Sequence, residues 1–326
     1  MLEKSTRPIS QEEFLLAAQN SELSIINEYI NINTENASLI NVVNEDGNTA
    51  LILAASLGHL AIVEALVAAS GIDVNFDSEN DGRTALIAAA NNGHLAIVRA
   101  LLAVPNIDPN VCASETALIA AVEHGHLEIV QLLITHPGIN INDNDIIEDS
   151  YATALIKASM LGYLNIVQTL IAHPSINLNV TDATDQTALM HAIIKGHPSI
   201  AHALINTDSI DLNISNKDKD TALTLAITKD DLGIVQKLIF ARDIKLNPHS
   251  WNSNIALLKA ASLGRLAILQ ALINAPTIYL NASDVNGNTS LMCAASSRHL
   301  PIVQVLINVP GIELNAYNKD GNTALI

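Results

Sequence analysis

The sequence predicts an all-α solenoid, a stack of helix pairs joined by β-turn or hairpin tips. Three observations carry that expectation: one motif recurs along the chain, its internal spacing is constant, and its length variation is confined to one segment. With Thr49 as origin, equivalent positions are Thr84, Thr116, Thr153, Thr187, Thr221, Ile255, Thr289 and Thr323. An Asn stands 26 residues after each of the first eight, from Asn75 to Asn315. The gap from that Asn to the next origin is 9, 6 and 11 residues in the first three tips and 8 thereafter. A segment that tolerates length change is exposed, and the constant remainder is packed.

Within the constant part, each position has a helix-pair role. Thr at the origin caps a first helix through its hydroxyl. Small residues follow at offsets five and six, as in Ala54-Ala55 and Ala89-Ala90, where two backbones can approach closely. Gly at offset nine (Gly58, Gly93, Gly125, Gly162, Gly196, Gly264) supplies the left-handed turn that ends this helix. A second helix then buries one apolar stripe, seen in Ile97-Val98-Leu101-Leu102. Pro at 105, 137, 174, 276 and 310 stops it.

Gly93-His94-Leu95-Ala96-Ile97-Val98-Arg99-Ala100-Leu101-Leu102 matches the ankyrin signature Gly-His-x-x-Ile-Val-x-x-Leu-Leu, and the chain resembles an ankyrin-repeat protein from about Gln11 to Ile326. The family's Thr-Pro-Leu-His is Thr-Ala-Leu here, and the period is mostly 34 residues. Ala is the better helix former, so neither departure threatens the fold. The expected organisation is an N-terminal tail over 1–10, a capping helix pair and connection over 11–45, eight repeats over 46–319, and a truncated start of another over 320–326. Asp230 and Arg298 replace the helix-ending Gly and Ile255 replaces the capping Thr, which predicts a softer C-terminal third.

With 49% hydrophobic and 15% charged residues, the chain is expected to be ordered, core-forming and monomeric. No apolar run reaches membrane-spanning length, and the first ten residues lack a secretory signal, so no membrane role is expected. Cys112 and Cys293 lie about five repeats apart, so reduced thiols and a cytoplasmic location are expected. A net charge of −17 argues against nucleic acid and suits a basic protein partner.

No catalytic or cofactor motif is visible, so a non-enzymatic role is expected. His59, His94, His126, His197 and His299 share offset ten, the inter-helix turn. Neighbouring copies would stand roughly 8–10 Å apart, whereas a zinc ligand must lie about 2 Å from its ion, so a turn role is favoured. The Asp143–Asp149 tip is dense in carboxylates but lacks the Gly and spacing of a Ca²⁺ loop, so a solvated loop is favoured.

The ankyrin resemblance implies partner binding on the concave face formed by tips, first helices and the turn after them. Carried onto this chain, that face includes Asn48, Arg83, Glu115, Gln186 and Asp220, each just before an origin. It also includes offsets seven and eight, among them Asn91, Asn92, Glu123, His124, Met160, Leu161, Lys195 and Lys229. Tyr151, Met160, Leu161 and Tyr163 place large side chains in one repeat, and Trp251 sits in the seventh tip. These are candidate anchors, with packing within the stack an equal reading for Met160 and Leu161 and shielding of a tip one for Trp251; the stretch Glu115–Lys195 is the expected contact zone. Acidic tips (Glu45, Asp46, Asp77, Glu79, Asp81, Asp182, Asp185, Asp218, Asp220) suggest an attracting rim, while Lys157 and Lys259 fall on first helices. Two further roles fit the same features: a targeting arm of a larger enzyme or host-directed bacterial effector, or an inhibitor that covers a partner's active site.

Overall fold

The protein is described by a computed structural model covering residues 8–33, 37–78, 80–111, 114–146, 150–246, 256–276 and 278–325. Cys112, Asn247, Trp251, Ile255, Glu79, Glu148 and Asp149 lie outside the described residues. Contacts divide the chain into two units, Met1–Ala158 with Asn165–Ile176, and Ser159–Leu164 with Asn177–Ile326.

Helices come in pairs. The first pair is α1 (Gln11–Asn20) and α2 (Leu23–Ile32), followed by α3 (Ala50–Leu57) with α4 (Leu60–Val67). Next are α5 (Ala85–Asn91) with α6 (Leu95–Leu102) and α7 (Ala117–Glu123) with α8 (Leu127–Ile134). The pair α9 (Ala154–Leu161) and α10 (Leu164–Ile171) precedes α11 (Ala188–Lys195) with α12 (Pro198–Ile205). The remaining pairs are α13 (Ala222–Thr228) with α14 (Leu232–Ile239), α15 (Ala256–Ser262) with α16 (Leu266–Ile273), and α17 (Ser290–Ser296) with α18 (Leu300–Leu306).

In the first unit, α1, α3, α5 and α7 pack in series and α2, α4, α6 and α8 form a second layer beside them. In the second unit, α11, α13, α15 and α17 pack in series beside α12, α14, α16 and α18. Helices of seven or eight residues are too short to be stable alone, so burial must hold them. All of Ala85–Ala90 and Ala117–Val122 is buried; α5 packs against α3, α6 and α7, and α7 against α5 and α8. That crowding is why Ala fills the positions between Leu and Ile. Fully buried Leu66, Leu101 and Leu133 anchor the second layer, each worth about 1.5–3 kcal/mol.

The origin threonines cap as expected: the Thr84 hydroxyl accepts the Ile87 N–H at 3.2 Å, and Thr49, Thr116, Thr187, Thr221 and Thr289 do the same. Among the described residues no extended strand forms. Tips close instead through single antiparallel bridges such as Val43↔Thr49 and Thr181↔Thr187. In these tips an Asx carboxyl or amide oxygen accepts the backbone; Asp284 Oδ1 takes the N–H of Asn286 and Asn288, each at 2.8 Å. At offset nine, Asp230 (φ 61°) and Arg298 (φ 62°) adopt the left-handed turn that Gly holds elsewhere.

Two side-chain ladders join successive modules. Asn75 donates from Nδ2 to the Asn106 carbonyl (2.7 Å) and accepts from the Asp108 N–H (2.8 Å), a pairing repeated by Asn110, Asn179, Asn213 and Asn281. Asn41 makes the same two bonds to Gly71 and Asp73, so the stretch read from sequence as a connection already carries the first rung. The second ladder is histidine. His94 Nε2 meets the Ser56 carbonyl at 3.0 Å, and His59, His126, His197 and His299 reach the equivalent carbonyls of Gln19, Asn91, Met160 and Ser262. Arg265 replaces the imidazole once, bonding the Thr228 carbonyl and pairing with Asp230 at 3.0 Å.

Candidate protein-binding surface

In the first unit, Asn48, Arg83 and Glu115 each precede the N-cap Thr of a first helix. Asn48 and Arg83 are half-buried, and Arg83 pairs with Asp81 at 3.5 Å. Glu115 is half-buried, its Oε2 enclosed without a hydrogen-bond partner. Burial and the neighbouring Glu123 push its carboxyl above the ordinary glutamate range, against the opposing pull of Arg83, His124 and Lys157. Asn91 is half-buried, while Asn92 and His124 are exposed at the end of the first helices.

Lys157 on α9 joins two carboxylates. Its Nζ lies 2.7 Å from Asp145 Oδ2 and 2.7 Å from Glu123 Oε1. Burial lowers its pKa, but the bonds and charges of Asp145 and Glu123 outweigh that and raise it overall. Asp145 also accepts the Ala152 N–H at 2.9 Å and donates its own N–H to the Ala152 carbonyl at 3.0 Å, closing the tip. Asp145 is fully buried, which corrects the expectation of a solvated loop at this residue. Offset four of the first helix faces the tip, so a lysine there recruits a tip carboxylate inward. The Ile146 N–H donates to the Ser114 carbonyl at 2.9 Å, tying this tip to the preceding one. Tyr151, at φ 52°, is 42% exposed. A bulky residue held in the left-handed region is strained by about 1–3 kcal/mol.

The second unit repeats the offset-four arrangement with other chemistry. His191 is buried and its Nε2 lies 2.7 Å from Asp182 Oδ2. Burial pushes the Asp182 carboxyl up, but bonds from Thr184, Gln186 and His191 outweigh it and lower the pKa. Lys259 pairs with Asp220, which also accepts the Thr224 hydroxyl at 2.8 Å. Asp182 and Asp220 are therefore internally committed, which corrects their placement in a free acidic rim; Asp46, Asp77, Asp81, Asp185 and Asp218 remain exposed. Gln186 is half-buried, and Lys195 and Lys229 are exposed. Leu161 is 44% exposed, whereas Met160 and Tyr163, read from sequence as open, are half-buried. The remaining anchor candidate, Trp251, lies outside the described residues.

Cys293 also occupies offset four; burial first, then Asp284, pushes its thiol up to about 11, far from a reactive thiolate. Among the described residues, no three His, Cys, Asp or Glu side chains converge as a metal ion would require. No described helix is long and apolar enough to cross a membrane. Sequence reasoning missed the Asp145–Lys157–Glu123 and Asp182–His191 contacts. Their signal was present as a polar residue at offset four where Leu53 and Ala88 stand elsewhere.

Stacked helix pairs, turn-borne histidines and bridge-closed tips define an ankyrin array. The family profile described as ankyrin repeats (3 copies) matches residues 14–112, 105–182, 155–250 and 235–318, and the chain belongs to that family. Among solved structures it is similar to the crystal structure of the ankyrin repeat domain of Bcl-3, described as a unique member of the IkappaB protein family. The match has 26% identity and a TM-score of 0.59, and covers 68% of this chain and 95% of that one. The comparison with curated proteins finds no match.

Proposed function

We propose that this array is a non-catalytic protein-binding module whose contacts lie on the side of the first helices and tips. The observation that carries the reading is Glu115. Its carboxylate has one oxygen enclosed and unpaired; of the cations that act on it, Lys157 is already bound to Asp145 and Glu123, and Arg83 is paired with Asp81. A buried carboxylate lacking a partner is costly, and an incoming guanidinium or ammonium would satisfy it. A partner with a basic side chain at this point, packed against exposed Tyr151, fits both features. In the second unit, Leu161 and Lys195 offer an apolar and a charged contact of their own.

The test is a photo-crosslinking residue placed at Tyr151 and, separately, at exposed Glu128 on α8. A partner trapped from position 151 but not from 128, and lost in a Glu115→Ala chain of unchanged helicity, supports the reading. Equal trapping from both positions overturns it.

A further inference from the structure

An apolar groove of about 320 Å³ runs along α1 and α2, floored by Ile9, Leu16 and Ile25. Glu13, Glu22 and Glu28 edge it. Leu16 is 51% exposed, and Ile32, one turn beyond Glu28, is 53% exposed. α3 packs against both α1 and α5, and α5 against both α3 and α7. Among the described residues, α1 has such a first-helix neighbour only in α3. The groove is thus a seat of the kind that a helix fills elsewhere in the same unit.

The charged residues that line it are all glutamates. No Lys or Arg occurs between Arg7 and Arg83. The unit containing the groove holds 21 of the 33 acidic residues and five of the 16 basic ones, against 12 and 11 in the other unit. All but one of the 17 net negative charges thus belong to the unit that contains the groove. Glu13 accepts the Ser10 N–H at 2.9 Å as part of a capping box.

We propose that this groove docks a basic amphipathic helix of a partner protein. Its apolar stripe seats on Leu16 and Ile25, and its Lys or Arg side chains face Glu22 and Glu28. Apolar contact supplies the burial, and the acidic surround steers the helix in and rejects acidic sequences. This surface is separate from the one carrying Glu115 and Tyr151, and its success or failure leaves that reading untouched.

The experiment uses the full chain and a labelled synthetic peptide of about 18 residues, Leu and Lys in helical periodicity, with a Leu/Glu peptide as control. Fluorescence anisotropy should show binding of the first peptide alone. The Glu22→Lys/Glu28→Lys variant should lose about tenfold or more in affinity, and Leu16→Asp should lose a similar factor. A charge-matched control, Glu64→Lys/Glu128→Lys on exposed positions of α4 and α8, should lose less than about threefold. Equal loss in both double variants would reduce the effect to bulk charge and overturn the proposal. An unchanged affinity in Glu22→Lys/Glu28→Lys would overturn it too. So would a concentration-dependent dimer dispersed by Leu16→Asp in sedimentation, which would make a second copy of this chain the occupant.

Discussion

The imidazole of His94 lies directly over Gly58: a Cβ at Gly58 would stand 2.8 Å from His94 Cε1, while Nε2 of the same ring reaches the Ser56 carbonyl at 3.0 Å. The turn glycine is thus required twice, once for its left-handed backbone (φ 82°) and once for the ring of the next module. The same overlap joins Gly93 to His126, Gly162 to His197 and Gly264 to His299. At Gly196, where Asp231 stands in place of the next histidine, nothing lies within 4 Å.

Gly58→Ala should therefore cost more than Gly196→Ala. Both incur the left-handed penalty of about 1–2 kcal/mol, and only the first adds an overlap worth about 1–3 kcal/mol. Urea melts of the two variants measure the difference. The Gly58→Ala/His94→Ala double variant should lose less than the sum of the two single-variant losses, since the overlap is removed with the ring.

The asparagine ladder predicts a graded series at Asn110. Asn110→Ala forfeits both inter-module bonds, to Gly138 and from Asn140, for about 1–3 kcal/mol. Asn110→Asp keeps an acceptor for the Asn140 N–H but cannot donate to Gly138, so it should fall between Ala and wild type. Hydrogen exchange at Asn140 reads the retained bond directly.

Glu115 sets a pH dependence. Its carboxyl titrates above the ordinary value in the folded chain, so the folded state holds the proton more tightly than the unfolded one. Stability from this group is then lost as pH rises from the unperturbed glutamate value through the raised one. Glu115→Gln should melt higher than wild type at pH 7, and the two melting curves should converge below about pH 4, near the ordinary carboxylate range. A bound basic partner should remove the gap at pH 7 by pairing the carboxylate.

Asp145→Asn should destabilise by about 2–4 kcal/mol, because it strips a fully buried carboxylate from Lys157 and leaves that ammonium to Glu123 alone. Lys157 titrates above the ordinary lysine value. Its contribution is therefore complete at neutral pH and fades only as pH rises through that raised value. Thermal melts at pH 7 and in the alkaline range should show the wild-type advantage shrinking in the latter.

The helix pairs were legible in the sequence because each depends on local chemistry that recurs: Thr at the cap, Ala where helices crowd, Gly at the turn. The site was legible only in outline. Position relative to the origin gave the register of each candidate residue, but the state of each charge depended on contacts between modules that no single repeat displays. Asp145 and Asp220 resemble other tip carboxylates until Lys157 and Lys259 are seen reaching them. Met160 and Tyr163 likewise share the open register with Leu161, yet packing half-buries them.

The imidazole rungs carry one more implication. A carbonyl can only accept, so the nitrogen facing it must hold hydrogen whether the ring is neutral or charged. His191 differs, since it faces the Asp182 carboxylate, a partner whose own charge can be titrated away. Five joints in this array are thus made by rings whose partner is an uncharged backbone oxygen, so those joints involve no ion pair.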